Sequence, residues 1–112
     1  MKDKDIHIGD MVRVRQWEDM KAEGSVTSGG SIKFSGQSVM FTNDMKYLCG
    51  RTFTVANSVE FPFVTESIYE SSEHIECRKS GGRWYLTAVM LEPYDNIEYT
   101  VASDDEIAIL LQ

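Results

Sequence analysis

The chain has 112 residues, 42% of them hydrophobic and 26% charged, with a net charge of −7. These values are typical of one globular domain and exclude a wholly disordered chain, and no apolar run is long enough to span a membrane. Two cysteines at unrelated positions favour a reducing cytoplasm over a disulfide-stapled secreted protein, so we expect a cytoplasmic protein.

The first predicted elements are a strand and a short helix. A Gly9-Asp10 turn precedes residues 11–16, in which Val12 and Val14 alternate with arginines, and this period of two predicts a half-buried strand. Residues 17–23 favour a short helical segment that ends at the following glycine.

The middle of the chain predicts a loop, a second short helix and a second strand. Residues 24–38 are rich in glycine and serine and predict a long, flexible loop. Thr42 is placed to cap a helix over 44–48, and Gly50 ends it. Residues 51–57 alternate again and predict a strand.

A hairpin is predicted next, with residues 63–69 and 74–79 joined by a turn at 70–73. Pairing Ile68 with Ile75 turns both inward and predicts that three side chains point outward: Tyr69, His74 and Glu76. A further strand is expected through Trp84 and Leu86, then one turn of 3₁₀ helix over 87–90 and a short strand at 91–92.

The end of the chain predicts an acidic appendage. Residues 96–101 predict a strand. Ser103 and Glu106 form a capping-box pattern, which predicts that a helix begins there and covers residues 104–111. We therefore divide the chain into a β-rich unit, residues 1–93, and a C-terminal strand and short helix packed on it, residues 94–112.

Two motifs between Gly9 and Pro93 carry a family resemblance. One is the start, in which Gly9-Asp10, Val12, Val14-Arg15, Trp17 and Met20 match, and the other is the Leu48-Cys49-Gly50 centre with Thr54 four residues after the glycine. Over about three quarters of its length the chain resembles small SH3-like barrel proteins encoded by bacteriophages and prophages. The resemblance implies a mainly β fold with short helices, a barrel of about five strands and a phage context in the bacterial cytoplasm.

Several candidate sites have simpler structural explanations. An aromatic set could bind a ligand but is more typical of a barrel core: Trp17, Phe41, Tyr47, Phe53 and Trp84. Cys49 lacks a recognisable catalytic partner and is better explained as a buried hydrophobe. His74, Cys77, Cys49 and His7 lack the paired spacing of a zinc site, so we expect no metal and no cofactor.

Charge is distributed unevenly along the chain. Residues 1–51 hold eight basic and seven acidic residues, whereas residues 52–112 hold three and eleven. Such a surface repels phosphates and attracts basic proteins, although a solvated face is the simpler explanation. The predicted partner-binding residues are acidic: Glu66, Glu70, Glu73, Glu76, Asp95, Glu98, Asp104 and Asp105.

Three functions fit these features. The preferred one is a non-catalytic protein-binding module, a phage-type inhibitor (possible kinds include anti-CRISPR proteins and other DNA mimics) whose acidic surface binds a basic, nucleic-acid-handling host protein. The alternatives are a nucleic-acid-binding barrel that uses the Arg13 and Arg15 face, and a self-associating accessory protein. We expect no enzyme activity, no direct nucleic-acid or membrane binding, and a monomer or homodimer.

Overall fold

The computed structural model describes residues 1–94. The predicted appendage, with its strand over 96–101 and its helix over 104–111, lies outside the described residues. Six strands and one α-helix follow the chain order: β1 (Met11–Val14), α1 (Trp17–Glu23), β2 (Ser25–Val26), β3 (Ile32–Lys33), β4 (Thr52–Val59), β5 (Ile68–Ser71) and β6 (Leu91–Pro93). Three 3₁₀ helices cover Asp3–Asp5, Asn43–Leu48 and Ala88–Met90.

The main sheet is antiparallel with the strand order β5-β4-β1-β6, and β2 pairs with β3 in a second, two-stranded sheet. Val12 lies opposite Phe53 of β4 and Pro93 of β6, so β1 is central. The predicted mixture of strands and short helices is confirmed. The expected five-stranded barrel is not seen, because the strands of residues 1–94 form open sheets and no closed barrel.

The core lies under the main sheet and follows the predicted alternation. Val12 and Val14 of β1 and Phe53 and Val55 of β4 are buried, as period-two patterning requires. The other fully buried large hydrophobic side chains come from α1, β3, β6, two of the 3₁₀ helices and two connecting segments: Met20, Ile32, Phe41, Met45, Leu48, Leu86, Met90 and Leu91. The described part of the chain therefore has one contiguous hydrophobic core.

The helical predictions are confirmed in position. Helix α1 has the predicted bounds, and the second 3₁₀ helix buries Met45 and Leu48. Thr42 occupies its N-cap position, yet its Oγ1 is buried without a hydrogen-bond partner in residues 1–94. The predicted side-chain cap is therefore not formed, and the Met45 amide donates to the Thr42 carbonyl at 2.9 Å in the first hydrogen bond of the 3₁₀ helix.

The prediction of one long loop over 24–38 is wrong in part. β2 and β3 form a small hairpin there, and Ile32 also bridges to Phe41 and is fully buried. A Cβ on Gly24 would lie 2.7 Å from the Lys33 carbonyl oxygen, so the chain returns too closely for any side chain. Glycine here permits packing rather than flexibility.

The hairpin predicted over 63–79 is also wrong. β5 pairs with β4 along one edge, while the Tyr69 amide donates to the Leu86 carbonyl on the other. Both edges of β5 are occupied, which leaves no place for residues 74–79 as its partner.

No helix within residues 1–94 is long and apolar enough to cross a membrane.

Candidate binding groove

Two of the predicted partner-binding carboxylates are buried acceptors. Glu66 is 4% exposed and Glu76 is 1% exposed, so neither presents its carboxylate to a partner. Tyr69, also predicted to point outward, is buried, and its hydroxyl donates to Asp3 at 2.8 Å. The outward assignment failed because the predicted hairpin register does not exist.

Glu66 holds two loops together. Its Oε2 accepts the backbone amides of Ser38 and Val39, both at 2.7 Å, and its Oε1 accepts the Thr65 hydroxyl at 2.6 Å. Burial alone would raise the pKa of Glu66, but the bonds from Thr65, Val39 and Ser38 outweigh it and lower this pKa below its usual value. This carboxylate is a structural acceptor.

Glu76 organises the turn after β5. Its carboxylate accepts the Ser71 hydroxyl at 2.7 Å and Arg83 Nη1 at 3.2 Å, and the Ser71 Oγ in turn accepts the Ile75 amide at 2.9 Å. Arg83 Nη1 also contacts Glu70 at 3.0 Å. A buried carboxylate with these partners fixes the segment that carries residues 77–84.

The other predicted acidic contacts are divided. Glu70 is half-buried and bonded to Arg83 and to Asn57, whereas Glu73 is exposed and accepts the Thr54 amide at 3.2 Å. Asp95, Glu98, Asp104 and Asp105 lie outside the described residues. The four glutamates of this set within residues 1–94 therefore do not form one continuous acidic surface: Glu66, Glu70, Glu73 and Glu76.

Arg13 of β1 and Arg15, the residue after β1, are engaged in ion pairs. Arg13 Nε donates to Glu92 at 2.7 Å, and Arg15 Nη1 donates to Glu23 at 2.6 Å and to the Val89 carbonyl at 3.0 Å. These contacts lock neighbouring elements to the sheet. They leave the Arg13 and Arg15 face poorly suited to a row of phosphates.

The five candidate aromatic residues divide between core and surface. Phe41 and Phe53 are fully buried, and Trp17 packs against Phe41 at 6.1 Å between ring centroids. Tyr47 is 52% exposed, and its hydroxyl accepts the Trp84 indole N–H at 2.7 Å. Phe41 and Phe53 belong to the core, as expected, and Trp17 and Trp84 are both partly buried and packed against it. Trp84 also lines a surface groove together with the exposed Tyr47.

That site is an open groove of about 700 Å³ between the second 3₁₀ helix and the turn after residue 76, and we call it the Trp84 groove. Its walls combine aromatic carbon with polar and charged groups from these two segments: Asp44, Tyr47, Cys77, Arg78, Lys79, Ser80 and Trp84. Arg78 and Trp84 also line an adjoining cavity of about 330 Å³. The volume suits a small ligand or a few side chains of a peptide.

The groove is held by a tight turn. The Arg78 amide donates to the Gly82 carbonyl at 2.8 Å and the Gly81 amide donates to the Arg78 carbonyl at 2.9 Å. Gly81 has a φ of +91°, a conformation that favours glycine. The Trp84 amide then donates to the Glu76 carbonyl at 2.7 Å, which connects the groove to the buried Glu76 network.

The Arg78 guanidinium lies over the Trp84 ring, 4.5 Å from its centroid. Gly82 makes room for it, because a Cβ there would fall 2.6 Å from Arg78 Nη2. The Tyr47 hydroxyl accepts the indole N–H and the Arg78 guanidinium packs on one ring face. These two contacts orient the Trp84 ring in the absence of a ligand. Aromatic surface next to a cation suits an anionic group joined to apolar carbon.

The cysteines and histidines do not assemble a reactive centre within the described residues. Burial raises the pKa of the Cys49 thiol, which disfavours its thiolate, and both cysteines are free. No group of three metal-ligating side chains occurs in residues 1–94.

The chain matches no protein-family model, no curated protein and no solved structure. The geometry of the groove therefore carries the functional argument.

Sequence reasoning found Tyr47 and Trp84 but missed Arg78 and Lys79, which it placed in a hairpin strand. A signal was available: the segment Arg78-Lys79-Ser80-Gly81-Gly82-Arg83-Trp84 places two cations on a glycine turn directly before a tryptophan. What linked them to Tyr47 was a contact across 37 positions, which no local pattern reports.

Proposed function

We propose that this protein is a non-catalytic protein-binding module and that the Trp84 groove is its binding surface. The observation that carries the proposal is the exposed Tyr47, hydrogen-bonded to a Trp84 ring that Arg78 covers. Binding energy at protein interfaces concentrates in tryptophan, tyrosine and arginine. Here all three lie in one groove on a fixed scaffold.

The resemblance to small phage SH3-like proteins concerns the fold and a phage context, and it specifies no ligand for this chain. We include in the proposal an SH3-like arrangement of the β-rich unit, a phage origin and a location in the bacterial cytoplasm, the last in keeping with two free cysteines.

A second candidate is the DNA-mimic inhibitor that binds a basic host protein. The observation that favours it is the charge of residues 95–112, which hold five acidic residues and no lysine or arginine. Reversal of Asp95, Glu98, Asp104 and Asp105 to lysine would then weaken partner binding, with an affinity that falls as salt rises. Unchanged affinity in this variant would contradict binding through these four carboxylates.

The test of the groove is a capture experiment with three forms of the full chain. Bacterial lysate is passed over wild-type protein, Tyr47→Ala and Ile8→Ala, and each retained protein is purified and its affinity measured. Ile8 is 60% exposed and lines none of the cavities described above, so Ile8→Ala controls for loss of an exposed apolar side chain. We expect the partner to bind wild type and Ile8→Ala, and to bind Tyr47→Ala at least tenfold more weakly.

Two results would contradict the proposal. One is a purified partner whose affinity for Tyr47→Ala equals that for wild type. The other is equal weakening by Tyr47→Ala and Ile8→Ala, which would indicate nonspecific apolar adsorption instead of a defined site.

A further inference from the structure

Arg78 differs from three of the other four arginines of the described chain, and it shares with Arg51 the absence of an ion pair within residues 1–94. Its place in the groove, over the Trp84 ring, sets it apart from Arg51. Arg13, Arg15 and Arg83 each contact a carboxylate at 2.6 to 3.2 Å. Arg78 forms no ion pair with a carboxylate of residues 1–94, and its guanidinium lies over the Trp84 ring in an open groove. Its five N–H donors retain capacity for an oxygen acceptor from outside.

The guanidinium is also held in place before a ligand binds. It contacts the indole ring and lies close to Gly82, where a Cβ would fall 2.6 Å from Nη2, and the indole itself donates to Tyr47. A side chain fixed in this way loses less conformational entropy on binding than a free surface arginine. Lys79, next along the turn, supplies a second positive charge at the same groove.

The surroundings favour a carboxylate on a peptide over a polynucleotide. Two cations line the groove and can pair with one or two carboxylates, whereas the Asp44 carboxylate on its wall reduces the net positive charge there. This is too little positive charge for a row of phosphates, and the whole protein carries −7. Base stacking on the covered face of Trp84 would also require Arg78 to move. The exposed Tyr47 ring offers apolar contact for a neighbouring side chain.

We infer that the Trp84 groove receives an acidic peptide segment of a partner protein. An aspartate or glutamate carboxylate of that segment binds the Arg78 guanidinium, and an adjacent aromatic or aliphatic side chain packs on Tyr47. This inference rests on the proposed function and specifies its ligand: the partner presents an acidic and apolar sequence to a cationic groove on a protein that is acidic as a whole.

The probe is a library of random twelve-residue peptides, selected on the immobilised full chain. Enriched peptides are labelled and titrated by fluorescence polarisation against wild type, Arg78→Gln and Lys33→Gln. Lys33 is exposed and outside the groove, so Lys33→Gln is the matched control for loss of one positive charge. A labelled twelve-residue oligothymidylate serves as the nucleic-acid probe.

We expect the enriched peptides to carry aspartate or glutamate beside an apolar residue. Arg78→Gln should weaken them about tenfold and Lys33→Gln less than twofold. Replacing the peptide's aspartate or glutamate by its amide should cost about tenfold on wild type and little on Arg78→Gln, because the cycle isolates this one contact.

The other outcomes overturn the inference and separate it from the proposed function. Enriched peptides without acidic residues that are lost on Tyr47→Ala would leave the groove as a binding surface and remove the acidic ligand. Equal weakening by Arg78→Gln and Lys33→Gln would show general charge attraction. Tighter binding of the oligothymidylate than of any peptide would favour nucleic acid, and no enrichment on wild type would count against both proposals.

Discussion

The buried side of the Glu76 turn and the open side of the same turn use charge in opposite ways. On the buried side, the Glu76 carboxylate accepts bonds from Ser71 and Arg83. On the open side, a few residues along the chain, Arg78 covers an aromatic ring and contacts no carboxylate of residues 1–94. Charged groups that are paired inside the fold stabilise it, and a charged group whose N–H donors are unpaired can bind a ligand.

In the second half of the chain, we therefore expect the few cations to matter more for binding than the many acidic residues do. The second half of the chain is strongly acidic in sequence, yet Glu66 and Glu76 are buried, and Glu70 and Glu76 are both paired with Arg83. The cations there are few, but two of them line the groove. Stability and binding should therefore respond to different substitutions within residues 66–84.

The largest effect is expected for Glu76→Ala. The substitution removes the acceptor of the Ser71 hydroxyl and leaves Arg83 without this buried partner, and we expect a loss of about 3 kcal/mol in the free energy of unfolding. Urea unfolding followed by circular dichroism measures it. Glu60→Ala, at an exposed position, is the control, and a loss equal to that of the control would show that the Glu76 network is not structural.

Glu66→Gln should cost about 1 to 2 kcal/mol, because a neutral amide accepts the Ser38 and Val39 amides less strongly. Since the pKa of Glu66 is lowered in the folded state, its contribution is complete above the usual value of 4.5 and is lost as pH falls through the lowered pKa. Unfolding measured from neutral to acidic pH should show the wild-type advantage shrinking. An advantage that is constant with pH would contradict this assignment.

Tyr69→Phe should cost about 1 kcal/mol, the loss of one hydrogen bond to Asp3. Burial is the largest cause and Asp3 the next, and together they raise the pKa of Tyr69 to about 12. The stabilisation is therefore present below pH 10 and is lost as pH rises through about 12. Absorbance titration of tyrosine, compared between wild type and Tyr69→Phe, should assign the missing late transition to Tyr69. A Tyr69 transition near pH 10 would place its hydroxyl in solvent.

The smallest effect on stability is expected for Gly82→Ala. Its methyl group displaces the Arg78 guanidinium from Trp84, and since the displaced atom ends a flexible side chain, the free energy of unfolding should change by less than about 0.5 kcal/mol. Tryptophan fluorescence should change nonetheless. Gly29→Ala, with no atom nearer than 3.9 Å to its Cβ, is the control, and unchanged fluorescence in Gly82→Ala would mean that Arg78 does not cover the ring.

Much of the fold followed from local patterns. Period-two alternation placed β1 and β4, and spacing placed α1 and the 3₁₀ helices at Asn43–Leu48 and Ala88–Met90. The failures were decided by contacts distant in sequence. Ile32 is buried through its bridge to Phe41, and Glu76 is buried because Ser71 and Arg83 satisfy its carboxylate.

The groove was predictable only in part for the same reason. Tyr47 and Trp84 stood out as aromatic residues, but local sequence does not show that Trp84, which packs against the core, also donates to an exposed tyrosine and lines a groove. Arg78 could not be separated from the paired arginines, because pairing depends on which carboxylates the tertiary fold brings near.

The most direct test of the account is a map of the binding surface. Amide and indole N–H resonances of the isotope-labelled full chain are recorded by NMR with and without the purified partner captured from lysate. If the partner binds in the Trp84 groove, the largest changes fall on residues 44–47 and 77–84, with the Trp84 indole N–H among them. Changes confined to residues 95–112, or to the surface around Arg13 and Arg15, with the Trp84 indole unmoved, would contradict the account.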